Sequence, residues 1–438
     1  MSERTFSVPR GMRDFDAQEM AKRLWLNEKI VSVMERCGFQ IVEPTSIENL
    51  ETLEAKSGPE IKDEIYYFAD KAGRNLGLRF DLTVGMTRMI VNRPDLPEPI
   101  KICALSGMWR YDEPQFARYR HFYQWDAEVY GTIEQEADAE VIALGMDILE
   151  SVELRDYEVR VSNRKFAEGF LRQLGVTGEE RIEQAIRTID KYRKISADEF
   201  EDEFRKIGLS DDLLLKTSEI ISLKGPADRV LASIPNEYTK SEMSSKGHKE
   251  LSRLFDLLED FGKLEKCVID LSVVRGIGYY DGIVFEAYDK GGEDVGAIFG
   301  GGRYDKLCGL YGRREVPATG VAGGIERLMI SLERASLFPE LTQGPKVFAT
   351  AVDEQSRPKV VKLVTELRKK GIPCDFDMKG RTLKKQLEYA DSMKIPIAVI
   401  LGPREIERGV VKIRTMKTHV ETEVRMDELA EEVERRLQ

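Results

Sequence analysis

The sequence predicts an α+β protein that carries a helical insertion and ends in a smaller α/β domain. Before residue 165 and again from Cys267, apolar runs and period-two alternation indicate strands between helices. Between residues 165 and 264 charged residues dominate and short helical repeats replace the strands, whereas residues 344–438 alternate strand-like and helical segments. A chain of 438 residues is expected to hold two or three domains. We therefore divide it into residues 1–343, which contain the insertion at residues 165–264, and residues 344–438.

Composition excludes several classes of protein. The net charge of −11 argues against a protein that coats nucleic acid non-specifically. Apolar segments are too short for a signal peptide or a membrane span, so we expect a cytoplasmic protein without a membrane partner. The cysteines are scattered without a Cys-x-x-Cys pair, which argues against a zinc site or a disulfide framework, and we predict no metal-binding residues. These cysteines are Cys37, Cys103, Cys267, Cys308 and Cys374.

The segment Lys101–Gly131 has the most informative local pattern. An apolar run at Ile102–Leu105 predicts a buried strand, and a polar loop with several arginines follows it. The return strand alternates two kinds of side chain, which predicts one polar and one apolar face. The polar face comprises Phe122, Gln124, Asp126, Glu128 and Tyr130. So many aromatic residues beside polar ones indicate a lined pocket rather than a solvent-facing surface.

Arginines in this segment point to polyphosphate binding. Arg110 and Arg118 can each present forked donors to phosphate oxygens, while Gln124 and Glu128 would contact a second, small polar ligand. The alternative is an ordinary hairpin with a solvated, charged loop. Upstream, Asp81 and Thr83 lie at a predicted strand-to-helix junction, where they would cap the helix or bind a substrate's ammonium group, and both roles can hold at different residues.

Two glycine-containing segments mark the return of the sheet pattern after the insertion. A sharp turn is predicted at Arg275–Gly278, followed by a strand at Tyr279–Tyr288, and the glycines would present Arg275 and Tyr280 into a crowded site. Three consecutive glycines then precede Arg-Tyr-Asp at residues 303–305. Their backbone can approach a ligand or a neighbouring strand closely.

The C-terminal segment differs from the rest of the chain in charge. Residues 344–438 contain 20 Lys and Arg against 16 Asp and Glu, a net charge of +4, which leaves −15 on the remainder. A basic segment on an acidic protein suits local contact with RNA phosphates. Its strand–helix alternation predicts a mixed sheet.

These motifs resemble the signature sequences of class II aminoacyl-tRNA synthetases. Residues 101–131 look like the second class II motif and residues 319–328, TGVAGGIERL, like the third. A helix, a short strand and Pro44 look like the first, which implies a dimer interface near Pro44. RGIGYYDGIVFE and GGGRYDKL resemble motifs peculiar to histidyl-tRNA synthetases, although many members have an acidic residue where this chain has Gly278. The resemblance to this family covers nearly the whole chain.

The resemblance implies a class II antiparallel sheet flanked by helices and an anticodon-binding domain at residues 344–438. It also implies ATP and L-histidine as substrates, Mg²⁺ with the ATP, tRNA(His) as acceptor and a homodimer. The implied ATP-binding residues are Arg110, Glu113, Arg118, Phe122 and Arg327. The implied histidine-binding residues are Asp81, Thr83, Gln124, Glu128, Tyr279, Tyr280 and Tyr304. Arg275 and Arg110 would be catalytic, because they would face the reacting carboxylate and the α-phosphate.

Three other functions remain as alternatives at this point. A non-catalytic relative, such as the regulatory subunit of ATP phosphoribosyltransferase, would lack the basic tail and the signature arginines, and this chain has both. A histidine-binding or tRNA-binding sensor would not be expected to begin and end like the enzyme. A class I synthetase or a P-loop enzyme would need a His-x-Gly-His or a Gly-x-x-x-x-Gly-Lys-Ser/Thr motif, and the sequence contains neither.

Overall fold

The computed structural model describes residues 6–57, 59–276, 278–312, 315–341 and 343–437. It contains two compact units, Met1–Glu340 and Leu341–Gln438, and this division falls close to the boundary predicted at residues 343 and 344. Residue 277, within the predicted turn at Arg275–Gly278, lies outside the described residues. Among the described helices, none combines the length and the apolar character that a bilayer crossing requires.

The first unit consists of a large sheet, a small sheet and helices. Its strands are β1 (Gln40–Ile41), β2 (Ile47–Asn49), β3 (Tyr67–Ala69), β4 (Asn75–Leu78), β5 (Ile100–Trp109), β6 (His121–Tyr130), β7 (Tyr157–Asn163), β8 (Lys224–Gly225), β9 (Cys267–Asp270), β10 (Ile283–Asp289), β11 (Phe299–Arg303) and β12 (Ala318–Gly324). Its helices are α1 (Ala17–Arg36), α2 (Leu50–Ser57), α3 (Thr83–Val91), α4 (Gln135–Ser151), α5 (Arg164–Gln173), α6 (Glu179–Ile189), α7 (Ala197–Lys206), α8 (Asp211–Ile221), α9 (Ala227–Ser233), α10 (Glu242–Asp260), α11 (Leu307–Tyr311) and α12 (Ile325–Arg334).

The large sheet has the strand order β1-β5-β6-β12-β11-β10-β7-β9-β8 within the described residues. Neighbours from β5 to β7 are antiparallel, and parallel pairs occur at β1–β5 and β7–β9. The predicted antiparallel sheet is therefore confirmed. The small sheet has the order β2-β4-β3.

The two faces of β6 differ as its alternation predicts. Trp125, Ala127 and Val129 pack into the largest hydrophobic core together with residues of α1, α4, α5, α10 and α12. Tyr130 is buried on the opposite side, where Phe122 packs against a smaller core that includes residues of α3 and α11. One face of the sheet is thus fully covered by helices, and the other face carries the polar residues.

Helix α1 shows how local sequence sets the element boundaries. The Glu19 N–H donates to Asp16 Oδ1 (2.8 Å) in a capping box, and Gly38, with φ +77°, follows the end of the helix. Pro44, the implied interface residue, is buried within the chain itself. A Cβ on Gly85 would lie 2.6 Å from Pro44 Cβ, so α3 packs closely against it.

The predicted helical insertion extends the main core rather than forming a core of its own. Phe166 and Phe170 of α5 and Leu251 and Leu254 of α10 belong to the same cluster as the covered face of the sheet. The two-residue strand β8, which the sequence pattern did not predict, adds to the edge of the sheet next to β9.

The glycine-containing segments differ in part from their predicted structure. The strand expected from Tyr279 begins at Ile283, because the described residues just before it form a loop in which Tyr279 and Tyr280 pack against the Tyr304 ring. Gly300–Gly302 lie within β11, between β10 and β12. A Cβ on Gly301 would lie 2.0 Å from the Gly320 carbonyl oxygen, so the predicted close approach of a neighbouring strand is confirmed.

The second unit is a mixed sheet with helices, as the strand–helix alternation predicts. Its order is β14-β13-β15-β16-β17, with β14, β13 and β15 parallel and the last two strands antiparallel. The short helix α15 was not predicted. The elements are β13 (Val347–Ala351), α13 (Arg357–Lys369), β14 (Cys374–Phe376), α14 (Leu383–Ser392), β15 (Ile397–Leu401), α15 (Pro403–Glu407), β16 (Val410–Thr415), β17 (Glu421–Arg425) and α16 (Leu429–Leu437).

Candidate active site

Two cavities on the open face of the large sheet share part of their lining. The larger has a volume of about 390 Å³ and the smaller about 70 Å³. Arg110, Gln124 and Arg275 line both, so the cavities adjoin. The larger also contains Arg118, Phe122 and Arg327, and the smaller contains Asp81, Thr83, Glu128, Tyr279, Tyr280 and Tyr304.

The larger cavity is lined by five cations and four carboxylates, and four of the cations are arginines. Arg110 Nε donates to the Phe80 carbonyl oxygen (3.0 Å), and its guanidinium lies 4.9 Å from the centre of the Phe122 ring. Burial and the positive charges of Arg118 and Arg110 lower the pKa of Arg327. Like charges held this close favour an anionic ligand, because an anion would relieve their mutual repulsion.

Register places these cations together. Arg110 follows β5, whose partner strand β6 supplies Phe122 opposite Met108. Arg327 lies in the first turn of α12, which directly follows β12. Strand β6 lies between β5 and β12 and pairs with both. The backbone N–H groups at a helix N-terminus add favourable interactions for an anion such as phosphate.

The smaller cavity contains a buried carboxylate with one free oxygen. Thr83 Oγ1 donates to Glu128 Oε1 (2.8 Å), whereas Oε2 has no hydrogen-bond partner in the described residues. Burial and the nearby Asp126 carboxyl raise the pKa of Glu128. Gly320 lies opposite on β12, and a Cβ there would come within 1.8 Å of Oε2. A buried acceptor without a donor is suited to bind a ligand N–H.

Asp81 and Thr83 have different roles at the start of α3. Asp81 Oδ1 accepts from the Val84 N–H (3.0 Å), so the capping alternative is confirmed for Asp81. Helix capping is wrong for Thr83, because its hydroxyl donates to Glu128 instead. Asp81 also forms an ion pair with Lys56, whose Nζ lies 4.1 Å from the centre of the Tyr279 ring.

Three tyrosines close the smaller cavity. Tyr279 donates a hydrogen bond to the Tyr280 hydroxyl (3.2 Å), and the rings of Tyr280 and Tyr304 meet edge to face at 6.2 Å. The Tyr304 hydroxyl is buried without a hydrogen-bond partner in the part of the chain that the structure describes. Burial and the neighbouring Tyr279 raise the pKa of Tyr280, so its hydroxyl remains a donor.

Arg275 stands at the junction of the two cavities. Its backbone has φ +51°, and Nη1 donates to Glu286 Oε1 (2.7 Å). Burial alone would lower the pKa of Arg275, but Tyr280 and Glu286 raise it by a larger amount. The net pKa lies above the usual value for arginine, so the guanidinium stays charged. A permanent positive charge therefore lies between the cation-rich cavity and the carboxylate-containing one.

Glu113 is the one predicted site residue that the structure leaves outside both cavities. It pairs with Arg10 on the surface, and 62% of its side chain is exposed. Because Glu113 lines neither cavity, the predicted contact with adenine stays a prediction.

Sequence reasoning missed three charged groups in or beside the site. Glu286 could have been noticed as a carboxylate within an otherwise apolar strand, IVFEAY. Asp126 was placed on the polar face without a role, yet it is fully buried, and burial and Asp81 raise its pKa to about 8. Nothing in the sequence distinguishes Lys56 from other helical lysines.

Comparisons with known proteins agree with this geometry. A sequence profile described as Histidyl-tRNA synthetase matches residues 11–328, and one described as Anticodon binding domain matches residues 346–436. Histidine--tRNA ligase from Pyrococcus abyssi is 40% identical over 428 residues, which is 97% of each chain.

Solved structures show the same fold. Histidyl-tRNA synthetase from Nostoc superposes with a TM-score of 0.84 at 28% identity, covering 99% of this chain and 100% of the other. A protein described as an ATP phosphoribosyltransferase regulatory subunit/histidyl-tRNA synthetase, from Bacillus halodurans, has a TM-score of 0.74 at 22% identity and covers 92% and 98%. At that identity it supports the fold alone. From the profile match and the sequence relationship, the chain belongs to the histidyl-tRNA synthetase family.

Proposed function

We propose that this protein is a histidine–tRNA ligase. In the first step the carboxylate of L-histidine attacks the α-phosphorus of ATP, which forms histidyl-adenylate and releases pyrophosphate. In the second step the histidyl group passes to the 3′ end of tRNA(His) and AMP leaves. The observation that carries the proposal is the pair of adjoining cavities, one rich in arginine and one lined by carboxylates and tyrosines.

The larger cavity suits ATP. Arg110 would hold the α-phosphate, Phe122 would stack on the adenine and Glu113 would approach its amino group. Arg118 and Arg327 would bind the β- and γ-phosphates. The described residues contain no group of three acidic, histidine or cysteine side chains poised to bind a metal, so Mg²⁺ would be held chiefly by phosphate oxygens and water.

The smaller cavity suits L-histidine. Asp81, Thr83 and Gln124 would bind the α-ammonium group, and the ion pair between Asp81 and the Lys56 ammonium supports this role for Asp81. Glu128 and Tyr280 would hydrogen-bond the two imidazole nitrogens, and the remaining tyrosines would enclose the ring. A site with buried donors and acceptors rejects analogues that leave these groups unpaired.

The junction of the cavities is where the reaction would occur. Arg275 would contact both the histidine carboxylate and the α-phosphate, where negative charge develops in the transition state. Arg275→Ala should therefore reduce histidine-dependent ATP–pyrophosphate exchange at saturating substrates by more than it weakens histidine binding. A near-normal exchange rate would rule out this role, and a wild-type protein without exchange would favour a non-catalytic relative.

The second unit would bind the anticodon region of tRNA(His). Five of its basic residues are exposed on α13 and α14 or next to them: Arg368, Lys369, Lys370, Lys384 and Lys385. Deleting residues 344–438 should leave adenylate formation measurable but impair transfer to tRNA, and should flatten the salt dependence of tRNA binding by about one unit of slope for each lost phosphate contact. A stable, dimeric truncation that charges tRNA like the full chain would refute this role.

A cytoplasmic homodimer is the assembly we propose for the enzyme. Ile41 of β1, Ile47 of β2, and Tyr67 and Phe68 of β3 are all more than 40% exposed, which is unusual for large apolar side chains near a sheet edge. Sedimentation equilibrium of the full chain measures the state directly, and a monomer at micromolar concentration would contradict the proposal.

A further inference from the structure

Arg164 is a buried cation behind the proposed active site. It is the first residue of α5, directly after β7, and 1% of its side chain is exposed. A buried guanidinium is costly unless its donors find acceptors. Nε donates to Glu168 Oε1 (3.0 Å), and Nη2 donates to Glu183 Oε1 (2.5 Å).

The third contact of this guanidinium reaches the main chain of Arg275. Arg164 Nη1 donates to the Arg275 carbonyl oxygen at 3.2 Å, across 111 residues of sequence. Arg275 has φ +51°, a left-handed conformation that side-chain-bearing residues adopt rarely. Such a conformation persists only where the surrounding structure fixes it, and it recurs at functional sites.

Arg275 is thus held at two points. Its side chain is fixed by Glu286 from within the cavity, and its backbone carbonyl is fixed by Arg164 from outside it. Arg164 is absent from the lining of both cavities, so it would not touch either substrate. We propose that Arg164 is a positioning residue for adenylate formation, because it holds the Arg275 carbonyl so that the Arg275 guanidinium stands at the junction of the cavities. This inference rests on the proposed ligase function.

The helical insertion contributes to this arrangement through Glu183 of α6. One oxygen of the Glu183 carboxylate accepts from Arg164, and the other, Oε2, is buried without a hydrogen-bond partner in the described residues. A Cβ on Gly278 would lie 3.6 Å from Oε2, so the carboxylate packs directly against the loop that carries Arg275. The insertion therefore has a place in the catalytic unit, through Arg164, in addition to any contact with tRNA.

A double-mutant cycle separates positioning from a general structural role. The rate of histidyl-adenylate formation is measured under single-turnover conditions at saturating histidine and ATP, in the full chain. Arg164→Lys keeps the positive charge but loses the forked N–H donors of the guanidinium. This substitution should slow adenylate formation by about 10- to 100-fold, as expected when a reacting group is displaced by about 1 Å. In an Arg275→Ala background the same substitution should cause no further loss, because there is no guanidinium left to position.

Additional variants keep the test decisive. If Arg164→Lys does not fold, as judged by thermal unfolding, Glu183→Gln enters the same cycle, since 32% of its side chain is exposed. Arg193→Lys is the matched control, because Arg193 Nε binds Asp270 Oδ2 (3.0 Å) and Ser272 and so also joins the insertion to the sheet. It should leave the rate unchanged.

The outcomes distinguish the two proposals. Equal losses in both backgrounds, or a histidine Kd that weakens in step with the rate, would overturn the role of Arg164 while the ligase function stands. A wild-type chain that forms no histidyl-adenylate would overturn the ligase function and the role of Arg164 with it. Loss of rate confined to the Arg275-containing background, with an unchanged Kd for histidine, is the result we expect.

Discussion

Replacing Glu128 by glutamine should weaken histidine binding and stabilise the unliganded protein at the same time. Glu128 is 2% exposed, and its Oε2 has no donor in the described residues, so the free protein bears the cost of a buried carboxylate. Glutamine has nearly the same shape but no charge. The substitution therefore removes both the acceptor that histidine would use and the penalty for burying it.

The expected loss of affinity follows from the type of hydrogen bond. A bond to a charged group contributes about 1.5–3 kcal/mol, which corresponds to about a 10- to 150-fold increase in the Kd for histidine. The same substitution should stabilise the free protein rather than weaken it. Because burial and Asp126 raise the pKa of Glu128 in the folded state, its favourable contribution is present at low pH and is lost as the pH rises through that raised value. Above it, Glu128→Gln should raise the Tm.

Calorimetric titration with histidine and thermal unfolding of the free protein measure the two effects. Asp138→Asn is the matched control, since Asp138 is equally buried but is paired with Arg303, whose Nε donates to Oδ2 (3.0 Å). Removing that charge should lower the Tm, because it takes away one of the two carboxylates paired with the buried Arg303 and leaves Asp305 as the other, and should not change the Kd. An unchanged Kd in Glu128→Gln would show that the carboxylate is structural.

Two further predictions concern residues around the same carboxylate. Gly320→Ala should abolish histidine binding, because its Cβ would lie 1.8 Å from Glu128 Oε2. Gly309→Ala, whose Cβ would lie 3.6 Å from Glu315 Cγ, should bind histidine normally, and calorimetry measures both affinities. Burial and Asp81 raise the pKa of Asp126 to about 8, so its stabilising contribution is lost as the pH rises through that value. Asp126→Asn should flatten the decline in unfolding free energy between about pH 4 and pH 8, and an unchanged slope of unfolding free energy against pH, measured by denaturant titrations, would contradict this.

The β5–β6 part of the site could be predicted because its contacts are local in sequence. Period-two alternation on β6 fixes which side chains share a face, and an antiparallel hairpin then places Arg110 beside Phe122. The position of Gln124 and Glu128 in one cavity follows from the same alternation. Residues 319–328 resemble the third class II motif, which implied a role for Arg327 in ATP binding, and Arg327 lies in the first turn of α12.

The remaining site contacts join segments that no periodic pattern connects. Lys56 and Asp81 are 25 residues apart on separate elements, and Arg164 and Arg275 are separated by 111 residues. Each pair depends on how helices pack around the sheet, and tertiary packing is set by the whole core rather than by local sequence. The extent of β10 was predicted too long because the tyrosines at its start favour strands intrinsically, while the loop places them in the cavity.

Glycine on β11 and β12 explains how a sheet can accommodate such a charged site. A Cβ on Gly300 would lie 2.9 Å from Arg275 Nη1, and one on Gly320 would overlap Glu128 Oε2. The bare backbone of these two strands thus provides the space in which both charged groups lie. Glycine provides space but no restraint, so the Arg275 guanidinium needs contacts from other elements to define its position. Glu286 and Arg164 supply them from opposite sides, which is why we expect the effect of Arg164 to depend on the presence of the Arg275 side chain.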